Sequence, residues 1–489
     1  MGKEKKSEIE RLNQDELKKI LKETRQKLAS QQQLIKEKKL PVIVLIEGWS
    51  AAGKGTLISY LIRDLDPRFF QVVPMKAPTE EELRKPFLCR HMEKIPETGK
   101  FSFLDSGWIE ETVFDAVDGR LNEKELQHRL DEINVFERQL VDNGYLVLKI
   151  FVHVTEEEQR ARIKRLSSDK DTQWRVNTRD LDELKHRKKY AKIFDRCISE
   201  TNSQKAPWHV VDGMQKTVIE LQVCKLLIEG IESAIARNQM PAEIPVNTFP
   251  MKKMPKLAEV DLNKSVTREE YEAELKLAQK KLKKLHNKLY RKGIPVIIAY
   301  EGWDAAGKGG NIKRMTSALD ARGFTVHPIA SPDSYEKNRM FLWRFWKRLP
   351  KTGHIAIFDR TWYGRVMVER LEGFCSENDW QRAFNEMNEF EKQLSDWGAV
   401  VIKFWIHIDK ETQLERFNER QNTPEKRWKI TEEDWRNREK WDLYELAVDE
   451  MIEKTSTEYA PWHIISSNDK LYARLQTIRI VIDAIEKAL

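Results

Sequence analysis

Apolar residues in this chain fall into short unbroken runs, separated by longer stretches in which they recur at helical spacing. Val42–Ile46 and Val296–Tyr300 are the clearest runs, with no polar alternation inside them. Similar runs follow at Phe70–Val73, Phe101–Leu104, Tyr145–Val154 and His209–Val211, and again at Phe324–His327, Ile355–Phe358, Val400–Ile408 and His463–Ile465. A run without alternation fits a strand buried on both faces. Amphipathic helical stretches fill the intervals, so strand and helix alternate. That order predicts an α/β fold built on parallel sheets covered by helices.

The pattern occurs twice. Residues 47–55 read EGWSAAGKG and residues 301–309 read EGWDAAGKG, an offset of 254 residues. The same offset pairs Pro96 with Pro350, Gly99 with Gly353, Trp108 with Trp362, His153 with His407, and Ala206-Pro207-Trp208-His209 with Ala460-Pro461-Trp462-His463. A period this long describes two whole domains rather than a solenoid unit. Each copy opens with a charged helical stretch, at about 8–38 and 267–291. Between the copies, Pro241, Pro245, Pro250 and Pro255 fix φ and remove backbone donors, which marks a non-helical connector. The expected organisation is a first domain over 1–237, a linker over 238–264 and a second domain over 265–489.

Composition narrows the setting. In 489 residues, 86 Lys and Arg face 79 Asp and Glu, a net charge of +7. That is too little for a nonspecific nucleic-acid coat, so no nucleic-acid partner is expected. Cys89, Cys197, Cys224 and Cys375 lie far apart with no CxxC, which points to a reducing compartment. No apolar run approaches the roughly 18–20 residues of a membrane span, and MGKEKKSEIERL lacks a signal-peptide pattern. A soluble, cytoplasmic protein with no membrane partner is the expectation. The amphipathic stretch 272–290 offers a face for helix-mediated homo-oligomer formation.

The chemistry lies in the loop after the run Val296–Tyr300. Gly302-Trp303-Asp304-Ala305-Ala306-Gly307-Lys308 fits G-x-x-x-x-G-K between a strand and a helix. Backbone N–H groups over Gly302, Ala305, Ala306, Gly307, Gly309 and Gly310 can cradle phosphate at a helix N-terminus, with Lys308 as point cation. The usual metal-holding Ser/Thr after the lysine is Gly309 here, so Mg²⁺ needs other oxygens. Asp304 in the loop and Asp359 at the end of Ile355–Phe358 are the candidates, a sufficient set for Mg²⁺ beside phosphate and water. Arg360 next to Asp359 suits charge developing on a transferred phosphoryl group. The basic segment Glu425–Ile430 carries Arg427 and Lys429 where a P-loop kinase has a mobile lid; the plainer reading is a surface loop with Trp428 tucked into the core. Lys308, Lys313, Arg314, Arg344, Lys347, Arg348, Arg360 and Arg365 form a cationic track suited to a polyanion.

The first copy differs where this chemistry sits. At the 254 offset, Asp304 becomes Ser50, Arg360 becomes Ser106, Arg427 becomes Gln173 and Arg365 becomes Glu111. Lys54, Asp105 and Arg175 stand for Lys308, Asp359 and Lys429. Glu111 brings negative charge where phosphate would be repelled. Losing one transition-state charge contact costs on the order of 10²–10³ in rate, so the second copy is expected to catalyse and the first to be degenerate. His407 sits inside an apolar strand and has the counterpart His153, which favours a structural role over a phosphohistidine.

Together, EGWDAAGKGG, IFDRTWYGR, RWK and APWH resemble the polyphosphate kinase type 2 family, once per copy. The resemblance implies two tandem P-loop kinase-like domains, each a parallel sheet flanked by helices with a helical lid. It implies phosphoryl transfer from inorganic polyphosphate to AMP, giving ADP, with Mg²⁺. It assigns Asp304, Lys308, Asp359 and Arg360 to catalysis and Arg427 and Lys429 to the lid. Arg365 and Glu369 match an arginine and a glutamate after the strand-end motif. An ATP-dependent kinase of the thymidylate-kinase type and a non-catalytic polyphosphate-binding protein are the competing readings.

Overall fold

All the apolar runs become strands. The first half contributes β1 (Val42–Gly48), β2 (Phe70–Pro74), β3 (Phe101–Asp105), β4 (Leu146–His153) and β5 (Trp208–Asp212). The second contributes β6 (Val296–Gly302), β7 (Phe324–Pro328), β8 (Ile355–Asp359), β9 (Val400–His407) and β10 (Trp462–Ser466). The computed structural model describes residues 13–489, except the side chains of Lys426 and Lys429. The first expected helix runs Gln14–Glu37; residues 8–12 of that expectation lie outside the described residues.

The strands form two five-stranded sheets, in the orders β2-β3-β1-β4-β5 and β7-β8-β6-β9-β10. Every pairing is parallel. The central strands β1 and β6 are buried along almost their whole length, as unbroken apolar sequence requires. In each sheet the chain leaves the central strand for a far edge, returns beside it, then continues on the other side. The loops after β1 and β3, and after β6 and β8, therefore emerge side by side at the strands' carboxyl ends, where α/β sheets bind ligands. Register fixes the match: Ile46 lies beside Asp105, and Tyr300 beside Asp359.

The chain divides into two compact units. One comprises Met1–Pro78, Arg90–Ala242 and Ser334–Met340, the other Thr79–Cys89, Glu243–Asp333 and Phe341–Leu489. The first unit contains β1–β5, and its opening helix packs on Lys216–Arg237 through Leu17, Leu21 and Leu221. The second contains β6–β10. Its helix Arg268–Lys292 buries Tyr271, Leu282, Leu285 and Leu289, while Leu277 and Tyr290 stay exposed. The apolar face offered above for oligomer formation is thus largely packed within its own unit. Among the described residues, no helix is long and apolar enough to cross a membrane.

Each unit also buries an ion pair that the apolar runs concealed. Lys403, in the middle of β9, is fully buried against Glu391 of the helix Glu377–Asp396, at 2.7 Å. Lys403 also donates to Thr455 O (2.7 Å) and to the Tyr363 hydroxyl (2.9 Å). Glu391 accepts from Trp362 Nε1 (3.0 Å) and the Tyr363 hydroxyl (2.6 Å). In the first unit Lys149 meets Glu137 at 2.6 Å and Thr201 O at 2.6 Å, and Trp108 Nε1 donates to Glu137 at 2.9 Å. Removing one partner of a buried pair leaves an uncompensated charge, a loss of about 3–5 kcal/mol. Lys403→Met should lower denaturant stability by that amount, and Lys403→Met/Glu391→Gln should recover most of it. A single variant as stable as the parent would show that the pair is not load-carrying in solution.

Candidate active site

The loop after β6 is set by backbone geometry. Gly302 has φ +151°, and a Cβ there would lie 2.5 Å from Ile406 O and 2.9 Å from Ile406 N, so only glycine fits beside β9. Ala305 (φ +62°) and Gly307 (φ +114°) take the left-handed conformation, and the helix Lys308–Thr316 begins at once. The loop's carbonyls are held from outside. Arg416 Nη1 donates to Ala305 O (3.0 Å) and Ala306 O (2.9 Å), and Ser467 Oγ donates to Ala306 O (2.7 Å). The N–H of Ala306 bonds Trp303 O and that of Gly310 bonds Gly307 O. Among the described residues, no acceptor meets the N–H groups of Gly307, Lys308 and Gly309. Lys308 Nζ curls back to Gly302 O at 2.6 Å. The result is a row of donors at a helix N-terminus under one ammonium, an anion cradle.

The strand-end motif closes the other side. Arg360 has φ +66°, and its N–H bonds Tyr300 O at 3.0 Å. Thr361 donates through its N–H and its hydroxyl, each at 2.7 Å, to one oxygen of buried Glu301. Arg360 Nη2 lies 3.6 Å from Asp304 Oδ1. Burial pulls the Arg360 guanidinium down, but Asp304, then Glu301, Glu433 and Asp359, outweigh it and hold the group above its ordinary value. Asp304, Lys308, Asp359 and Arg360 therefore lie together at the carboxyl ends of β6 and β8, with Lys308 and Arg360 both acting on the buried Glu301 and Asp304 and Asp359 both acting on Arg360. Arg365 pairs with Glu369 at 2.7 Å and lies over the Phe341 ring. Arg344 is buried and donates to Ala330 O at 2.9 Å. The expected lid is a turn at Pro424–Lys429, where Arg427 donates to Gln421 O at 2.9 Å; the Lys429 side chain lies outside the described residues. Trp428 is exposed, so the reading that tucks it into the core is corrected.

The donor set fits a small divalent cation. Among the described residues the Asp359 carboxylate accepts no hydrogen bond, and one Asp304 oxygen accepts one. A Cβ at Gly309 would meet nothing within 4 Å, so there is room beside the loop where a Ser/Thr usually stands. No described group of three or more His, Cys, Asp or Glu forms a closed metal site. Two hard carboxylates with space beside them suit Mg²⁺, which keeps waters and phosphate oxygens as its other ligands.

The first unit has the same loop with its charge already answered. Lys54 Nζ reaches Gly48 O (2.9 Å) and Glu110 Oε2 (2.8 Å), and Glu110 stands where the second unit has Gly364. Ser50 donates its N–H and its hydroxyl to Glu183 Oε1, both at 2.8 Å. Burial, and then Glu110, push the Glu47 carboxyl up to about 8. The repelling role given above to Glu111 is corrected: that carboxylate binds Arg90 (3.1 Å) and His91 (3.2 Å). Sequence reasoning missed Glu110 and Glu183, and in the second unit Glu301 and Asn437. His407 accepts from Trp303 Nε1 at 3.0 Å, and burial holds it near 4, a neutral structural acceptor.

A family model described as Polyphosphate kinase 2 (PPK2) matches residues 11–239 and again 265–489. The chain is 39% identical over 467 residues to the polyphosphate:AMP phosphotransferase of Pseudomonas aeruginosa, with 94% of each covered. It is 35% identical over 443 residues to the polyphosphate:AMP phosphotransferase of Acinetobacter johnsonii, with 90% of each covered. A crystal structure from Pseudomonas aeruginosa, described as a polyphosphate kinase 2, is 37% identical, with a TM-score of 0.83 and coverage of 98% of this chain and 97% of that one.

The two loop lysines should respond differently to removal. Lys54→Ala strands the partly buried Glu110 carboxylate and should cost about 2 kcal/mol of stability in a denaturant melt, with tripolyphosphate affinity unchanged. Lys308→Ala should leave the melt nearly unchanged and weaken tripolyphosphate binding at least tenfold by calorimetry. Equal effects of the two substitutions on anion affinity would show that both loops bind phosphate.

Proposed function

The chain belongs to the polyphosphate kinase 2 family, and from that premise we propose that its second unit transfers the terminal phosphoryl group of inorganic polyphosphate to AMP, giving ADP and a polyphosphate one unit shorter. The observation that carries this reading is the asymmetry between the loops. One cradle is open beside two carboxylates and an arginine, and its twin is neutralised by the protein's own glutamates. A nucleotide acceptor and a polyanionic donor both need cations, and among the described residues Lys308 meets only carbonyl oxygens where Lys54 meets Glu110.

A phosphate oxygen of AMP attacks the terminal phosphorus in line, and the anhydride P–O bond breaks as the shortened chain leaves with the electron pair. No side-chain nucleophile takes part, so the protein's contribution is positioning and charge neutralisation. The loop N–H groups and Lys308 hold the donor phosphates. Arg360, kept in place by the Thr361–Glu301 hydrogen bonds, faces the charge that grows on the transferred group. Asp304 and Asp359 would hold Mg²⁺, which neutralises and orients phosphate oxygens when bound. Arg427 and Lys429 lie on the segment that closes over the phosphates. Arg344 extends the cationic track from its buried position, and Arg365, paired with Glu369, follows the strand-end motif.

Two experiments test the reading. Protein incubated with AMP, long-chain polyphosphate and Mg²⁺, with no ATP present, should form ADP; ADP formation only when ATP is supplied would assign the site to a nucleoside-triphosphate kinase. Asp304→Asn should reduce turnover by at least 10²-fold with an unchanged melt, and near-normal turnover would remove Asp304 from the metal site.

A further inference from the structure

Asp304 does not stand alone in the loop. Asn437, on the helix Glu432–Glu439 that follows the lid turn, donates Nδ2 to Asp304 Oδ2 at 3.0 Å. The other end of the same amide accepts from the Tyr444 hydroxyl at 3.4 Å. Burial, with Glu372, Asp304 and Glu433, keeps that phenol protonated and hence a donor. The amide is therefore oriented from both sides, with its NH₂ toward the carboxylate. A second tie runs in parallel: Gln413 Nε2 donates to Asp304 O (3.1 Å), and Arg438 Nη1 donates to Gln413 Oε1 (3.2 Å).

The first unit shows what this contact is for. At the 254 offset, Asp304 is Ser50 and Asn437 is Glu183. The two still meet, with Ser50 donating and Glu183 accepting at 2.8 Å. The contact is present in both units with its polarity reversed. The carboxylate is on the loop in the second unit and on the helix in the first, and in each case a neutral donor stands opposite. Lysine or arginine at 437 would add a second cation to the one Arg360 already brings beside Asp304, and glutamate would repel the carboxylate. An amide donor ties down one oxygen without cancelling the charge, leaving Oδ1 on the side of Arg360.

We infer that Asn437 is a positioning residue for Asp304: it fixes the rotamer in which this carboxylate presents its second oxygen to the metal–phosphate substrate. The inference rests on the proposed function in that it takes Asp304 as a metal holder. It predicts that losing the amide weakens the response to Mg²⁺ specifically. Rotamer freedom returned to Asp304 acts on metal binding and not on the acceptor.

The test uses the full-length chain with Asn437→Ala, the near-isosteric Asn437→Asp and Asp304→Asn. In the polyphosphate–AMP assay, Asn437→Ala should raise the Mg²⁺ concentration for half-maximal rate five- to tenfold while KM for AMP moves less than twofold. Asn437→Asp, which sets one acceptor against another, should raise it further. A readout without turnover is the increase in Tm on adding Mg²⁺ to protein saturated with tripolyphosphate. Its Mg²⁺ midpoint should move by the same factor in Asn437→Ala, and the increase from tripolyphosphate alone should stay the same. In an Asp304→Asn background, Asn437→Ala should change nothing further, as expected for residues acting as one unit. If Asp304→Asn is inactive while both Asn437 variants keep the parental Mg²⁺ midpoint, the inference is overturned and the site reading stands. If Asp304→Asn keeps normal turnover, the site reading falls and the inference falls with it. A parent protein whose Tm does not respond to Mg²⁺ also overturns it.

Discussion

A lysine in the middle of a buried parallel strand must find an anion in the interior, and in this protein the anion it finds organises the turn at the carboxyl end of β8. Glu391 meets Lys403 and also holds the Trp362 indole and the Tyr363 hydroxyl. Those residues follow Arg360 and Thr361 directly, and Thr361 in turn is bound twice by Glu301 at the end of β6. Polar contacts therefore run from β9 through the strand-end turn to the strand that carries the phosphate loop. Buried ion pairs are weak sources of net stability, because desolvation offsets most of the attraction. A fully satisfied buried network does specify one arrangement over others. Here that arrangement places a flexible arginine and two carboxylates around one loop without leaving their positions to surface side-chain entropy.

Much of this architecture could be read from the chain before any coordinates. Apolar runs marked the strands, most clearly the central β1 and β6, which are covered on both faces and have no polar side to reveal, while the edge strands β2 and β7 carry exposed residues inside shorter runs. The duplicated loop motif marked the turn between β6 and the helix Lys308–Thr316, and the end of the run Ile355–Phe358 marked Asp359 and Arg360, which the structure places beside that turn. The interior ions were hidden by the same logic. Lys149 and Lys403 sit inside runs that read as apolar, and their glutamate partners lie on helices whose rotation the sequence does not display. Glu110 and Glu111 show how narrow the margin is. Adjacent helical residues point about 100° apart, so one reaches Lys54 and the other reaches Arg90 and His91. The Ser50/Asp304 exchange was visible at the 254 offset, but its meaning depended on Glu183/Asn437, which carry no motif.

The two units also show that the strained backbone belongs to the fold and the chemistry to the side chains. Ala51 and Ala305 have φ of +57° and +62°, and Ser106 and Arg360 both have φ of +66°. A left-handed non-glycine residue costs roughly 1–2 kcal/mol, and such strain clusters at functional sites. If the strain served the Arg360 side chain alone, the unit with Ser106 at that position would have no need of it. It is present there all the same, because register holds it: Ser106 N–H bonds Ile46 O and Arg360 N–H bonds Tyr300 O, at 2.9 and 3.0 Å. The turn after β3 and β8 must bend sharply to bring the next residues back to Glu47 and Glu301, and that demand is the same in both units. The two units thus differ at these positions in side chains and not in backbone conformation. With Ser50, Ser106 and Glu110 where the second unit has Asp304, Arg360 and Gly364, Lys54 is balanced from within the protein by Glu110.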